Sequence, residues 1–154
     1  MYGQYARLDC FWLYGELAVT ADFSIDEILT PLALTVIIDN KVRDPEMREF
    51  RTQAEGLLDM LGHENDPDRV CAQDWFDMAE PKLNASIKGR GKNTVILKAL
   101  TRFSDNDAVI EAMYDAMLAI SISDKEYHAA ESDLVKSAAS LWGYRRPPFK
   151  VVGR

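Results

Sequence analysis

The chain has 154 residues and a formal net charge of −7 at pH 7, with 47% hydrophobic and 28% charged residues. A chain of this length favours one domain whose core needs no metal or disulfide support. The longest apolar run, 29–38, is interrupted by polar residues and a proline and is about half a membrane span, so we expect no membrane insertion. The N-terminus lacks the pattern of a signal peptide, which favours a cytoplasmic protein.

The charge is unevenly distributed along the chain. Residues 145–154 contain four basic residues and no acid, so the rest is more acidic than the total suggests. Such a body repels nucleic acid and attracts cations or basic partners, although the usual explanation of such a charge is only a solvated surface. We therefore expect a single all-helical domain over 1–144, a basic tail over 145–154 and no nucleic-acid binding. Cys10 and Cys71 have no metal or redox spacing and fit reduced, buried thiols.

Apolar residues recur at helical spacing, and no stretch alternates as a strand would. A first helix is predicted over 5–21. The next begins at the capping box of Ser24 and Glu27. Pro31 either kinks this helix or begins a new one, and the sequence leaves both open.

Two Asp-Pro pairs, Asp44-Pro45 and Asp66-Pro67, combine an N-cap with a proline at the first helical position. They predict helices over 45–61 and 67–86, the first of them ended by Gly62.

Three shorter segments complete the prediction. They are a helix over 93–103, a helix opened by Ser104 with Asp107 and running to about 122, and a last helix over 128–142 ended by Gly143. Residues 88–92 form a basic turn, since they lack the glycine and hydroxyl spacing of a phosphate loop. The expected fold is a compact all-α bundle of about six to seven helices.

The chain also shows signs of an internal repeat. A shift of 85 positions aligns Leu32 with Met117, Asp39 with Asp124 and Glu46 with Glu131, so that apolar falls on apolar and acid on acid. The halves cover about 24–62 and 104–143. We expect a pseudo-twofold duplication, with chance similarity of helical patterns as the alternative.

Each half carries an acid pair at the same spacing, Asp39 with Glu46 and Asp124 with Glu131. The glutamates fall in first turns of helices, where the macrodipole favours a negative charge by about 0.3–1 kcal/mol. The aspartates follow helix C-termini, where a negative charge is disfavoured unless it reaches donors in the loop. The aspartates are therefore the first candidates for a site.

Val42 and Tyr127 lie three residues after the two aspartates, Asp39 and Asp124. We expect these apolar side chains to hold their loops against the core. The paired carboxylates and loop carbonyls could then hold a hard cation such as Ca²⁺ or Mg²⁺, or they could only cap helices and close the loops. An EF-hand is excluded, because Lys41, Arg43 and Arg51 occupy positions that need oxygen ligands.

This arrangement resembles the TerB-like tellurite-resistance family: a helix ending in Asp, a short loop, and Glu seven residues after the Asp, in two copies. The resemblance covers about 24–143 and is closest from Ala119 to Glu131, followed by the Leu141-Trp142-Gly143 ending. Family members usually read Ala-Asp-Gly where this chain has Ile38-Asp39-Asn40 and Ser123-Asp124-Lys125. Lys125 departs most from that pattern, since lysine adopts a left-handed conformation poorly.

The resemblance implies a non-enzymatic domain of tellurite resistance or chemical-stress response, with metal-binding acidic residues. The positions that it carries over are Asp39, Glu46, Asp124 and Glu131. Related domains in a membrane-anchored DnaJ-type co-chaperone imply a protein partner. The leading expectation is binding of a divalent cation or a protein through the acidic loops, without another cofactor. The alternative is a purely protein-binding helical scaffold.

Other catalytic chemistry finds little support in the sequence. His63 and His128, the only histidines, have no Cys or His neighbour at ligand spacing, although His128 lies within the second acid pair. A hydrolase with paired carboxylates is a third possibility, but nothing places two carboxylates around a substrate pocket. Trp12, Trp75 and Phe76 fit core packing.

Overall fold

The computed structural model describes residues 23–39, 41–123 and 129–143, and only the backbone of 129–131. These ranges contain helices and no strand, which confirms the all-α prediction. The predicted first helix, 5–21, and the basic tail, 145–154, lie outside them. The six α-helices of the described ranges are α1 Ile25–Ile37, α2 Asp44–Leu58, α3 Ala72–Lys88, α4 Lys92–Thr101, α5 Asp107–Ser121 and α6 Ala129–Trp142.

Helix α1 begins at the predicted capping box. The Ser24 hydroxyl oxygen accepts the Glu27 N–H at 3.0 Å, and the Ser24 N–H donates to Glu27 Oε1 at 2.8 Å. The helix is continuous through Pro31, so of the two alternatives that the sequence left open, the start of a new helix at this proline is wrong. Proline has no N–H to donate within the helix, but the turn after it keeps its own bonds, and the Thr35 hydroxyl donates to the Pro31 carbonyl at 2.9 Å.

Helix α1 is also the centre of the bundle. Its residues from Pro31 to Ile37 are all buried, and it packs against each of the other five described helices. Helix α2 packs mainly against α1 and α5, and the buried apolar side chains form one continuous cluster. The acid pair of the first half therefore lies in the loop that leaves the central helix.

Helix α2 matches the predicted helix 45–61 closely but ends differently. Its last turn widens into a π-type turn over Asp59–His63, and the chain leaves the helix at Gly62 with φ 98°. The left-handed conformation at this residue explains why glycine ends the segment, as predicted.

Helix α3 begins at Ala72, so the predicted N-cap at Asp66 is wrong. The Asp66 carboxylate instead accepts the Asp68 N–H at 2.8 Å and contacts the His63 ring, which holds 66–69 in a turn. The Ala72 N–H is satisfied from α2, because it donates to Glu55 Oε2 at 3.0 Å. A carboxylate from another helix thus replaces the local cap.

The N-cap of helix α5 lies two residues after the predicted cap at Ser104. Asn106 is the N-cap, and its side-chain oxygen accepts the Val109 N–H at 3.1 Å. Helix α6 ends at the predicted glycine, Gly143, with φ 66°. The basic turn before α4 is exposed, as expected.

The burial of the aligned repeat positions is only partly symmetrical. Leu32 and Met117 are both fully buried, but Ile37 is buried while its partner Ile122 is exposed. The duplication stays a prediction.

Two further predictions concern single side chains. Trp75 and Phe76 are buried, as predicted, whereas Cys71 is exposed at the start of α3, so the prediction of a buried thiol is wrong there. Cys71 is the N-cap residue of α3, but its side chain makes no capping hydrogen bond, because the Ala72 N–H is satisfied by Glu55. Among the described residues, no helix is both long and apolar enough to cross a membrane.

Candidate functional site

The first acid pair lies in the connection between α1 and α2. Helix α1 ends at Ile37, and Asp39 follows within two residues. Asp39 Oδ1 accepts the Lys41 N–H at 3.1 Å, which closes a tight turn of the loop upon the side chain. The aspartate thus reaches forward to a loop donor, which relieves the unfavourable position after a helix C-terminus.

Arg43 joins the two acids of this pair. Its Nη1 atom lies 2.6 Å from Asp39 Oδ2 and 3.7 Å from Glu46 Oε1. Its backbone N–H also donates to Glu46 Oε1, at 3.4 Å. The Arg43 side chain is 24% exposed, so it neutralises the pair from the solvent side.

Glu46 is the unusual member of the pair. Its side chain has no exposed surface, and Oε2 has no hydrogen-bond partner among the residues that the structure describes. An unsatisfied buried oxygen of a charged group costs upwards of about 1–3 kcal/mol. The two long contacts from Arg43, at 3.4 and 3.7 Å, both reach the other oxygen, Oε1, and offset this cost only in part. A cation or hydrogen-bond donor that contacted Oε2 would therefore stabilise the site most.

The roles of the two acids are the reverse of those expected from sequence. Asp39 has partners for both carboxylate oxygens, whereas the macrodipole does not account for the burial of Glu46. The prediction that Val42 holds the loop against the core is wrong, because Val42 is 45% exposed. The ion pairs of Arg43 close the loop in its place.

The structure describes only part of the second acid pair. Asp124, Tyr127 and His128 lie outside the described residues, and Glu131 lies on α6 with no side chain described. Within the described ranges, no three Asp, Glu, His or Cys side chains form a group that could hold a metal ion. The described part of the candidate site thus consists of Asp39 and Glu46, and its completion by Asp124 and Glu131 stays a prediction.

One polar contact of the core was not predicted from sequence. His63 is buried, with Nε2 2.7 Å from the Phe23 carbonyl oxygen and Nδ1 2.8 Å from Asp66 Oδ2. Both neighbours, the Phe23 carbonyl oxygen and the Asp66 carboxylate, are acceptors for a ring N–H. The hydrogen bond from the Asp68 N–H, and then the one from His63, lower the pKa of Asp66. This contact fastens the end of α2 to the start of α1 and is structural.

One feature of the sequence indicated the buried His63 contact, namely Gly62, which ends the helix just before His63. Nothing in the local pattern indicates the partner at Phe23, forty positions away.

The chain was compared with family models, curated proteins and solved structures, and none of the three comparisons gives a match.

Proposed function

We propose that this is a non-enzymatic domain of tellurite resistance or chemical-stress response, of the TerB-like kind, which binds a divalent cation at the corner of Asp39 and Glu46. The observation that supports this most is the fully buried Glu46 carboxylate, whose Oε2 atom has no partner within the described ranges. Carboxylate oxygens are the ligands that Ca²⁺ and Mg²⁺ prefer. The acidic body favours cations over nucleic acid, and we place the protein in the cytoplasm.

Arg43 makes the corner responsive to a cation. Its contact with Glu46 Oε1 is long, at 3.7 Å, and its guanidinium is partly exposed, so it can move into solvent. A divalent ion would then take its place between the two carboxylates, with Asp124, Glu131, loop carbonyls and water as further proposed ligands. Binding would replace the Arg43 guanidinium with a divalent ion from solution.

A protein-binding scaffold without metal is the second candidate. It is favoured by the short contact between Arg43 and Asp39, which already neutralises the more accessible acid. In that case Arg43 is a permanent part of the loop, and the acidic surface meets a basic protein partner. The two candidates differ in whether a divalent ion stabilises the fold.

Thermal unfolding separates them. The wild type and the variants Asp39→Asn, Asp124→Asn and Asp105→Asn are first treated with a chelator. Each protein is then unfolded by heat with Ca²⁺, with Mg²⁺, and with NaCl at matched ionic strength. Asp105 is an exposed loop acid outside the corner, so its variant is the matched control. An ion at tenfold its Kd stabilises the folded state by about 1.4 kcal/mol, which corresponds to about 3–6 °C in Tm for this length.

If the cation binds, the ion raises the Tm of the wild type and of Asp105→Asn by this amount. The rise in Tm is lost in Asp39→Asn. Loss in Asp124→Asn as well would support the completed four-acid site. If the Tm of the wild type depends on ionic strength alone, with no effect specific to Ca²⁺ or Mg²⁺, the result contradicts the cation proposal and favours the protein-binding scaffold.

A further inference from the structure

A groove lies between α3 and α4, over the first turns of α1. It consists of two adjoining depressions of about 420 and 490 Å³, which share Asp26 and Thr30 of α1. Its wall on α3 extends from Trp75 to Ser86, about 16 Å or three turns along the helix. We call it the α3–α4 groove. It lies at the start of α1, whereas Asp39 follows the end of that helix, so the groove is separate from the acid pair.

The walls of the groove are largely apolar. Met78 and Leu83 line it from α3, and Val95 and Ala99 line it from α4. Met78 is 81% exposed, the largest exposure among the large apolar side chains of the described ranges. An exposed apolar surface in a channel between two helices is typical of a place where a helix of another protein packs.

The charges of this part of the chain have one sign. From Lys82 to Arg102 the sequence contains six basic residues and no acid, although the whole chain carries a net charge of −7. Three of them line the groove, Lys82 from α3 and both Lys98 and Arg102 from α4. Lys82 and Lys98 are exposed, and neither forms an ion pair with another of the described residues. Each wall therefore presents an ammonium group to an anionic partner.

The two acids of the groove already have partners within the fold. Asp26 Oδ1 accepts the Trp75 Nε1–H at 2.7 Å, and Glu27 Oε2 accepts the Arg102 Nε–H at 2.8 Å. Both carboxylates belong to the first turn of α1, at the bottom of the groove, while the two lysines lie on its walls. An anionic side chain at the edge of the groove thus meets the lysines first.

This arrangement selects one class of partner. A nucleic acid would bring phosphates, and no apolar group, to a surface that holds Val95 and Ala99 and that has the carboxylates of Asp26 and Glu27 at its bottom. A membrane binds an amphipathic face that protrudes, whereas this surface is recessed between helices. An amphipathic helix with acidic residues along the edges of its apolar face matches both the apolar walls and the lysines.

We propose that the α3–α4 groove binds an acidic amphipathic helix of a partner protein. The apolar face of that helix packs against Met78 and Val95, and its carboxylates contact Lys82 and Lys98. The three-turn length of the groove suits a helix of about 11 residues or more. Because the groove and the acid pair lie at opposite ends of α1, this proposal and the cation proposal can fail independently of one another.

Fluorescence anisotropy with a synthetic peptide tests the proposal on the full chain. The probe is a fluorescein-labelled peptide of about 14 residues, with leucine along one helical face and glutamate elsewhere. One control peptide has the same composition in scrambled order, and another has lysine in place of glutamate. A labelled DNA duplex, and vesicles of phosphatidylcholine and phosphatidylserine in equal parts, represent the other classes of partner.

Charge reversal identifies the binding surface. Lys82→Glu/Lys98→Glu changes both walls of the groove, and Arg48→Glu/Lys136→Glu makes the same change in net charge at exposed positions elsewhere. We expect the first double variant to bind the acidic peptide about tenfold more weakly than the wild type, and the second to bind it as the wild type does. All four side chains are exposed, so thermal unfolding should show that both variants stay folded.

A change of one apolar side chain tests the other half of the contact. We expect Met78→Ser to weaken binding of the acidic peptide by about tenfold as well, because the buried methionine contributes to the interface. Met60→Ser is the control, since Met60 is 53% exposed at the end of α2 and should leave binding unchanged.

The proposal predicts saturable binding of the acidic amphipathic peptide to the wild type, with the two control peptides at least about tenfold weaker. No binding of that peptide, or equal weakening by the two charge-reversal variants, overturns it. Tighter binding of the DNA duplex or of the vesicles, lost in Lys82→Glu/Lys98→Glu, also overturns it. So does a dimer in analytical ultracentrifugation that this double variant dissociates, because the groove then holds a second copy of the chain.

Discussion

Glu46 is the side chain whose environment departs most from what its type prefers. It lies in the first turn of α2, where the macrodipole favours a carboxylate. It has no exposed surface, however, and one of its oxygens has no partner in the described part of the chain. Arg43 supplies the compensating charge from the rim of the site. A charge held in this way is sensitive to the loss of its partner, because the remaining carboxylate is left buried and unpaired.

Replacing Arg43 tests this dependence. We expect Arg43→Gln to lower the free energy of unfolding by about 2 kcal/mol, below the range for a fully buried pair because the guanidinium is partly exposed. Millimolar Ca²⁺ or Mg²⁺ should recover more stability in this variant than in the wild type, since the ion no longer competes with the guanidinium. Denaturant unfolding with and without the ion measures both effects.

Arg48→Gln, an exposed change on the same helix, is the control for Arg43→Gln. Equal losses in the two arginine variants would show that the contact with Glu46 contributes little.

A second residue-scale prediction concerns Asp66 and the dependence of stability on pH in the acidic range. Its folded-state pKa is lowered by the Asp68 N–H and by His63, so it contributes stability above its unfolded pKa. That contribution is lost as the pH falls through the lowered pKa, where the folded state also takes up the proton. The stability difference between wild type and Asp66→Asn should be largest above about pH 5 and shrink below about pH 4. Urea unfolding across this range measures it.

Asp68→Asn is the control, since it changes a neighbouring exposed acid and keeps the backbone N–H that donates to Asp66. A difference between wild type and Asp66→Asn that stays constant from neutral pH into acid would show that the carboxylate charge is not what stabilises the turn.

At the scale of the elements, the sequence predicted the helices whose caps are local. Ser24 and Glu27 satisfy one another three residues apart, and α1 begins where that pattern places it. The start of α3 depends on Glu55 from another helix, while Asp66 is engaged by His63. No window of sequence around Asp66 indicates the partner on α2, so the local pattern placed the helix too early.

The two glycines of the α2 segment make an element-scale prediction. Gly62 has φ 98°, so we expect Gly62→Ala to lower the free energy of unfolding by about 1–2 kcal/mol. Gly56 lies within α2, and a Cβ added there would meet open space, so Gly56→Ala should raise it by up to about 1 kcal/mol. Chemical denaturation of both variants checks the opposite signs. Destabilisation by both substitutions would contradict this explanation of how α2 ends.

At the scale of the whole molecule, the fold class was predictable and the candidate site only in part. Helical periodicity indicated the all-α bundle, and the spacing of Asp39 and Glu46 indicated an acid pair at one loop. The burial of Glu46 was not predictable, because it depends on how α2 packs against α1 and α5. An acid in a first turn has the same sequence pattern whether it is exposed or buried. Arg43 was missed for a related reason, since the sequence alone shows only a basic loop residue.

The bundle around α1 thus brings one buried carboxylate, one loop carboxylate and one partly exposed guanidinium together at the end of the central helix. Isothermal titration calorimetry with Ca²⁺ and Mg²⁺ on the wild type and on Glu46→Gln tests the proposed role of this corner most directly, with Asp105→Asn as the control. We predict saturable binding of an ion to the wild type and the control, and at least about tenfold weaker binding to Glu46→Gln, a loss of about 1.4 kcal/mol. Wild-type heats no different from dilution, or equal affinity in Glu46→Gln, would contradict it.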